Sequence, residues 1–365
     1  MIKVRSGQIA ALFAFDVGYE VALEKIPQLV PAAPVQLLSR KKQTPTYLQY
    51  TKPPQSLSLG ATDSLNNAPG QITATVFDFG AISIAYRWSF AAPEHKLDIS
   101  MLPELSQRLY ALNLEREARE HLQLLFNKIR PAISRPEVSD LVEDYYVFVI
   151  EQFTEQLKAN ELLTKHGVTL AQMLSFDMQP LSPKLHEEML SQPVSYYDND
   201  LVLMDWNAAF IYDSDYWDTM NVLELLNVEL LEARYIDAQL DKRIGEYSGL
   251  IHQRTEWPIP LRTPYKKVIE DLAELRVESS LLSERVDNAL KLIGDLYLAK
   301  IHTIASKRFY LPEWDLVISR KLDIVDDLYE VLTDRVKTAQ GQALEVIIIL
   351  LILFEIVLAL FVRPH

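Results

Sequence analysis

Residues 346–362 read VIIILLILFEIVLALFV, apolar at every position except Glu355. Counted from Ala343 the segment holds about 20 residues, and at about 1.5 Å per residue it crosses a hydrocarbon core of about 30 Å. A buried helix of a soluble bundle carries a polar stripe, and this one carries a single carboxylate. The reading is a transmembrane anchor over residues 343–362, with a buried core helix as the alternative. Glu355 then needs an escape from lipid, since a carboxylate near mid-membrane costs a few kcal/mol. A helix–helix interface in an oligomer supplies one, and local water penetration in a monomeric anchor supplies the other.

The rest of the chain is expected on one side of the membrane. Lys3 and Arg5 precede an apolar run at residues 9–15 that Asp16 ends. The run lacks a small-residue cleavage site, so it is not read as a signal peptide, nor is the N-terminus an Arg-rich transit peptide. A single-pass protein with its bulk in the cytoplasm is the resulting expectation.

Cysteine is absent, which excludes disulfides, thiol nucleophiles and Cys-based metal sites together. The formal charge of −14 is uneven: residues 1–58 carry seven Lys/Arg against three acids, and everything after them is strongly acidic. An acidic body repels phosphate backbones, so direct nucleic-acid binding is not expected.

Working back from the anchor, apolar residues recur at 3,4 spacing. Leu223, Leu226, Leu230, Ala233, Leu240, Ile244 and Tyr247 form a first series, interrupted only by Asp237, and Tyr265, Val268, Leu272, Leu275, Leu282, Val286, Ala289, Ile293 and Leu296 form a second long helix, interrupted only by Ser279. Ile318, Leu322, Val325, Tyr329, Leu332 and Val336 form another that runs straight into the anchor. Such a period predicts coiled-coil packing, and short connections predict antiparallel neighbours. Residues 213–342 are thus read as a stalk, a long antiparallel helical coiled-coil hairpin. Oligomer-interface candidates are Leu272, Leu275, Leu282, Val286, Leu322, Val325, Leu332 and Glu355.

Residues 1–212 read as an α/β head, which makes the whole chain α+β. Residues 8–15 pattern as a buried strand and 19–29 as a short helix. A proline-punctuated stretch to Gly70 reads as a loop or insertion. Residues 71–90 read as a hairpin turning at 78–80, residues 102–129 as a helix in two pieces, and 145–153 as a strand. Thr154 onward reads as helix, and 194–211 as a second hairpin turning at 198–200. Laying FDFGAISIAYRWSF (77–90) over YDNDLVLMDWNAAF (197–210) matches aromatic-Asp at the turn. That match admits duplicated βαββα, ferredoxin-like units at 1–130 and 143–212, while shared turn chemistry explains it equally.

No catalytic constellation emerges. The seven histidines are scattered without HExxH spacing, and ten glycines form no phosphate loop. No catalytic residue, cofactor or metal is expected. Acids at 198–200 and 213–218 resemble a hard-cation site, but a turn followed by a capped helix N-terminus explains them. Arg40, Lys41 and Lys42 are partner-binding candidates, against the reading of a solvated loop.

Leu344-Glu345 before an Ile/Leu run, with Glu355 beyond, resembles the tail of the "required for meiotic nuclear division" family. The helix with Lys321-Leu322, Leu328 and Leu332 is similar to that family's coiled coil. Phe79-Gly80-Ala81-Ile82 through Trp88 is similar to its N-terminal strand pair. Val346 stands where an aromatic is usual, Tyr86-Arg87 replace an apolar pair, and residues 338–341 lack the expected basic charge. The resemblance implies a membrane-anchored homo-oligomer of unknown function without known catalysis and, with no transit peptide expected, a relative in a bacterial cytoplasmic membrane. The expected role is a non-enzymatic tail-anchored scaffold that self-associates and presents its head to a cytoplasmic protein or ribonucleoprotein partner. The alternative is a membrane-bound enzyme with a site near Trp88, Trp206, Asp198 and Asp200.

Overall fold

The structure, a computed structural model, describes residues 2–31, 48–50, 52–91, 97–252, 265–287, 290–292 and 295–361. The chain forms two compact units, Met1–Tyr235 with Glu284–Glu313, and Ile236–Ser283 with Trp314–His365.

The first unit begins with β1 (Val4–Asp16), apolar along almost its whole length and buried on both faces. Then come β2 (Glu20–Val21), the single turn α1 (Ile26–Leu29), β3 (Leu48–Tyr50), β4 (Gln55–Leu65), β5 (Ala68–Val76) and β6 (Ala81–Ala91). Asn66 and Asn67 join β4 to β5, both at positive φ, as the tightest hairpins require. The helices α2 (Leu102–Ala111) and α3 (Glu115–Ile129) follow, split at Asn113, whose φ is also positive. Next are β7 (Ile133–Ser134), β8 (Glu143–Phe153), α4 (Ala159–Leu174), α5 (Pro183–Met189), β9 (Leu201–Met204) and β10 (Ala208–Tyr212). The remaining elements are α6 (Trp217–His252), α7 (Tyr265–Asp287), β11 (Leu290–Leu292), α8 (Leu296–Arg308) and α9 (Leu311–Phe361).

One seven-stranded sheet, ordered β4-β5-β6-β1-β8-β10-β9, organises the first unit. Every pair is antiparallel except β8 with β10. Because β1 lies near the middle, its side chains divide between two cores. Ile9, Phe13 and Phe15 join Ile84, Tyr86 and Trp88 under α2, α3 and α4. Ala10 and Leu12 face the other way, toward Met220, Leu223 and Leu226 of α6 and Leu298, Ile301 and Ala305 of α8. The architecture is α+β, with helices covering both faces of the sheet.

Several expectations change. The order β5-β6-β1 followed by β8-β10-β9 has the symmetry that a duplication produces. The sense breaks it, because β6 is antiparallel to β1 while β10 is parallel to β8. Both halves share one sheet rather than forming two ferredoxin-like units. Residues 55–65, read as loop, are an edge strand whose polar side chains reach solvent. Residues 19–29 hold β2 and then a 3-10 turn at Leu23–Lys25 that leads into α1, so the expected short helix is confined to residues 23–29. The second hairpin turns between Met204 and Ala208, while the loop at 198–200 precedes β9 and is closed by the Val194–Val202 bridge. The second long helix stops at Asp287, and α8 packs on the sheet with the first unit.

The second unit is built from the C-terminal part of α6 with α7 and most of α9. Leu240, Leu272, Val325 and Leu332 are fully buried there. Lys321 Nζ lies 2.6 Å from Asp237 and 2.7 Å from Asp241. The Tyr247 hydroxyl donates to Asp271 at 2.9 Å, and Arg276 meets Asp326 at 3.1 Å. These levels close when α7 runs antiparallel to α6 and α9 parallel to it. Any other sense separates Arg276 from Asp326 by about 9 Å or more along the axis. Beyond Gly341, α9 continues as an apolar helix whose side chains from Val346 to Phe354 stand about half exposed. It is the one helix among the described residues long and apolar enough to cross a membrane.

Candidate functional site

Beneath α6 lies a buried polar seam that apolar periodicity does not foreshadow. Ala10, Ala85 and Ala209 keep this face of the sheet low, so α6 settles close upon it. The Tyr216 hydroxyl donates to Gln8 Oε1 at 3.4 Å near one end, and Glu232 faces Asp16 near the other. From Tyr216 to Glu232 the helix rises about 24 Å, and from Gln8 to Asp16 the strand rises about 26 Å. The helix therefore tracks β1 along its length and in its direction.

Charges are paired along this track. Arg87 on β6, opposite Ala10, meets Glu224 at 3.5 Å and also donates to the Thr73 hydroxyl. Glu143 on β8, opposite Ala14, accepts from Arg234, while its backbone carbonyl accepts from Asn227 Nδ2 at 3.1 Å. Asp16 and Glu232 are left over. Asp16 is 3% exposed and Glu232 is 1% exposed, and neither Glu232 carboxyl oxygen has a hydrogen-bond partner. Burial, with help from Glu137, pushes the Asp16 carboxyl up to about 8 against the pull of the Gly18 backbone N–H. Burial and the neighbouring Asp16 raise Glu232 well above the usual carboxylate range.

The Arg87–Glu224 pair is a test of how tightly α6 is held. Removing one partner of a buried pair leaves the other charge uncompensated. Arg87→Leu is expected to cost about 3 kcal/mol. Chemical denaturation should show a lower midpoint at unchanged slope, with Arg87→Leu/Glu224→Leu recovering most of the loss.

The residues proposed for an enzyme site are not gathered. Trp88 is buried on the opposite face, donating to the Asp63 carbonyl at 2.8 Å, whereas Trp206 is exposed beside β10. Their strands stand three steps apart in the sheet, about 14 Å. Asp200 accepts the backbone N–H groups of Tyr196 at 2.7 Å and Tyr197 at 2.9 Å. Asp213 accepts that of Asp215 at 2.9 Å. Asp198 is exposed beside Lys158 at 3.5 Å. These are turn and cap geometries. Among the described residues no three acidic or histidine side chains are grouped to hold a metal ion.

Of the interface candidates, Leu272, Leu282, Val325 and Leu332 are buried within the chain. Leu275 and Leu322 are half-buried and Glu355 is exposed, while the Val286 side chain lies outside the described residues. Arg40, Lys41 and Lys42 also lie outside them. A groove of about 710 Å³ is lined in part by Glu20, Lys25, Lys52 and Pro131, with Lys52 drawn 3.1 Å from Asp78. Sequence reasoning missed the seam, and its one signal was Arg87 at a position expected to be apolar.

Residues 6–218 match the family model described as "Uncharacterized protein MJ0711, N-terminal domain", and the chain belongs to that family. The matched stretch covers nearly all of the seven-stranded sheet and ends as α6 begins. The uncharacterized protein MJ0711 of Methanocaldococcus jannaschii is 24% identical over 238 residues, 65% of this chain and 71% of that relative. No solved structure matches. Membership of a family of uncharacterized proteins is the coarser part of what the resemblance implied.

Proposed function

We propose that this member of the MJ0711 N-terminal domain family is a tail-anchored membrane scaffold that presents its sheet-based unit to a cytoplasmic protein partner. The observation that carries the reading is the end of α9. Val346, Ile347, Ile348 and Ile349 follow one another at about 100° per residue and so point in all directions around the helix, and each is about half exposed. Monomeric soluble proteins do not leave a continuous apolar surface of that length in water, and a bilayer is the solvent that suits it. The same helix supplies Val325 and Leu332 to the second unit's core, so the span grows out of a folded bundle without a linker.

Self-association belongs to the same reading. Glu355 within the span is stabilised by a helix from a second copy that shares its proton or hydrogen bond. The resemblance to the meiotic-division family adds support for a homo-oligomer. The acidic charge of the chain argues against direct contact with nucleic acid.

Deleting residues 343–365 is expected to move the protein from the membrane pellet to the soluble fraction, with its circular dichroism otherwise preserved. A truncated chain that stays in the pellet after a high-salt wash would show that something other than this helix holds it there.

A further inference from the structure

We infer that Asp16 and Glu232 form a proton-holding site that makes the docking of α6 on β1 dependent on pH; the inference is independent of the membrane reading. Two carboxyls face each other across the helix–sheet contact, both almost fully removed from water. Such a pair needs a positive partner, a bound cation or a proton.

The facing groups decide among these. On α6, the nearby Arg234 guanidinium is committed to Glu143 of β8. Further along the seam, Arg87 of β6 is committed to Glu224. Lys52 lies with Glu20 and Asp78. From the segment between β7 and β8, Glu137 adds a further negative charge toward Asp16. On β6, Ala81 stands opposite Asp16, and the nearby Ser83 hydroxyl is neutral. Among the described residues Asp16 accepts the Gly18 backbone N–H. No group of three ligating side chains exists among the described residues to bind a cation here. A proton remains, and it is the partner that needs no added space.

The sign follows from linkage. The folded chain holds a proton that the unfolded or locally opened chain releases in the ordinary carboxyl range. The stabilisation is complete below that range. It is lost progressively as pH rises, until the folded pair itself ionises at about 8 for Asp16. Across that window the opening constant of α6 rises by about tenfold per pH unit for each proton held.

The test uses the full chain in mild detergent. Infrared spectra of the wild type at pH 7 should contain the C=O band of a buried, protonated carboxylic acid. That band should weaken on raising the pH past about 9, as Asp16 ionises, and weaken in Asp16→Asn and in Glu232→Gln. Amide exchange, corrected for intrinsic rate, should show α6 opening more as pH rises from 5 to 8 in the wild type. The two variants should show a flatter dependence. Absence of the band at pH 7, or equal pH dependence in wild type and both variants, would overturn the inference. Stabilisation at pH 8 by added calcium or magnesium, lost in Glu232→Gln, would also overturn it by revealing a cation site. If neither variant folds, the wild-type infrared titration decides alone.

Discussion

Gly80→Val is expected to unfold the sheet-based unit, with a cost of about 5 kcal/mol or more. Gly80 sits at φ +101°, a conformation that β-branched residues hardly ever adopt. A Cβ there would also press into the backbone carbonyl oxygen of Gly18, an atom that cannot swing aside. The two chain segments are held this close because Val17 N–H donates to the Gly80 carbonyl at 2.9 Å, and Val21 N–H to that of Asp78 at 2.8 Å. Those bonds fasten the β5–β6 turn to the end of β1, next to Asp16. Gly60 supplies the comparison. Its φ is +126°, yet a Cβ there meets nothing within 4 Å. Gly60→Ala therefore carries backbone strain alone, about 1–2 kcal/mol. Thermal melts of the two variants separate steric clash from strain. Gly80→Val melting within a few degrees of Gly60→Ala would refute the close approach.

What the sequence discloses depends on how far apart interacting residues lie along it. β1, β8 and the β5–β6 hairpin are legible because each buries a contiguous apolar run, and local pattern is sufficient. β4 is not, since an edge strand with serine, threonine and aspartate facing water has the composition of a loop. The break after Asp287 is hidden because Leu290 and Leu292 sustain the apolar count while the backbone changes from helix to strand. The polar seam is the least legible feature. Arg87 with Glu224 and Gln8 with Tyr216 are separated by 137 and 208 residues, and a glutamate in a long helix reads as solvated until the sheet beneath it is known. The interface candidates show the converse. Leu272, Leu282, Val325 and Leu332 are buried, but spacing alone does not say whether the covering helix belongs to the same chain.

That distinction sets up the largest expected effect in the second unit. Val325→Asp is expected to abolish its bundle, whereas Ile324→Asp, one residue away, should leave it intact. Val325 is 1% exposed and Ile324 is 44% exposed. Aspartate at the buried position forfeits about 1.5–3 kcal/mol of apolar burial and strands a carboxylate away from water at further cost. The sum exceeds about 5 kcal/mol, and a small three-helix core has no reserve for it. Hydrogen exchange on the full chain in detergent should show lost protection near Leu240, Leu272 and Leu332, with the sheet strands as internal reference. Val317, Ile324 and Val331 recur every seven residues on the outward face of α9, each partly exposed. A change of mass in Ile324→Asp or Val331→Asp with protection unchanged would locate an inter-chain contact on that face. The same change in Val325→Asp alone would reflect only the collapse of the bundle. Retained protection in Val325→Asp would mean that α9 does not pack through Val325 and Leu332, and the interface candidates would again be free to join separate chains.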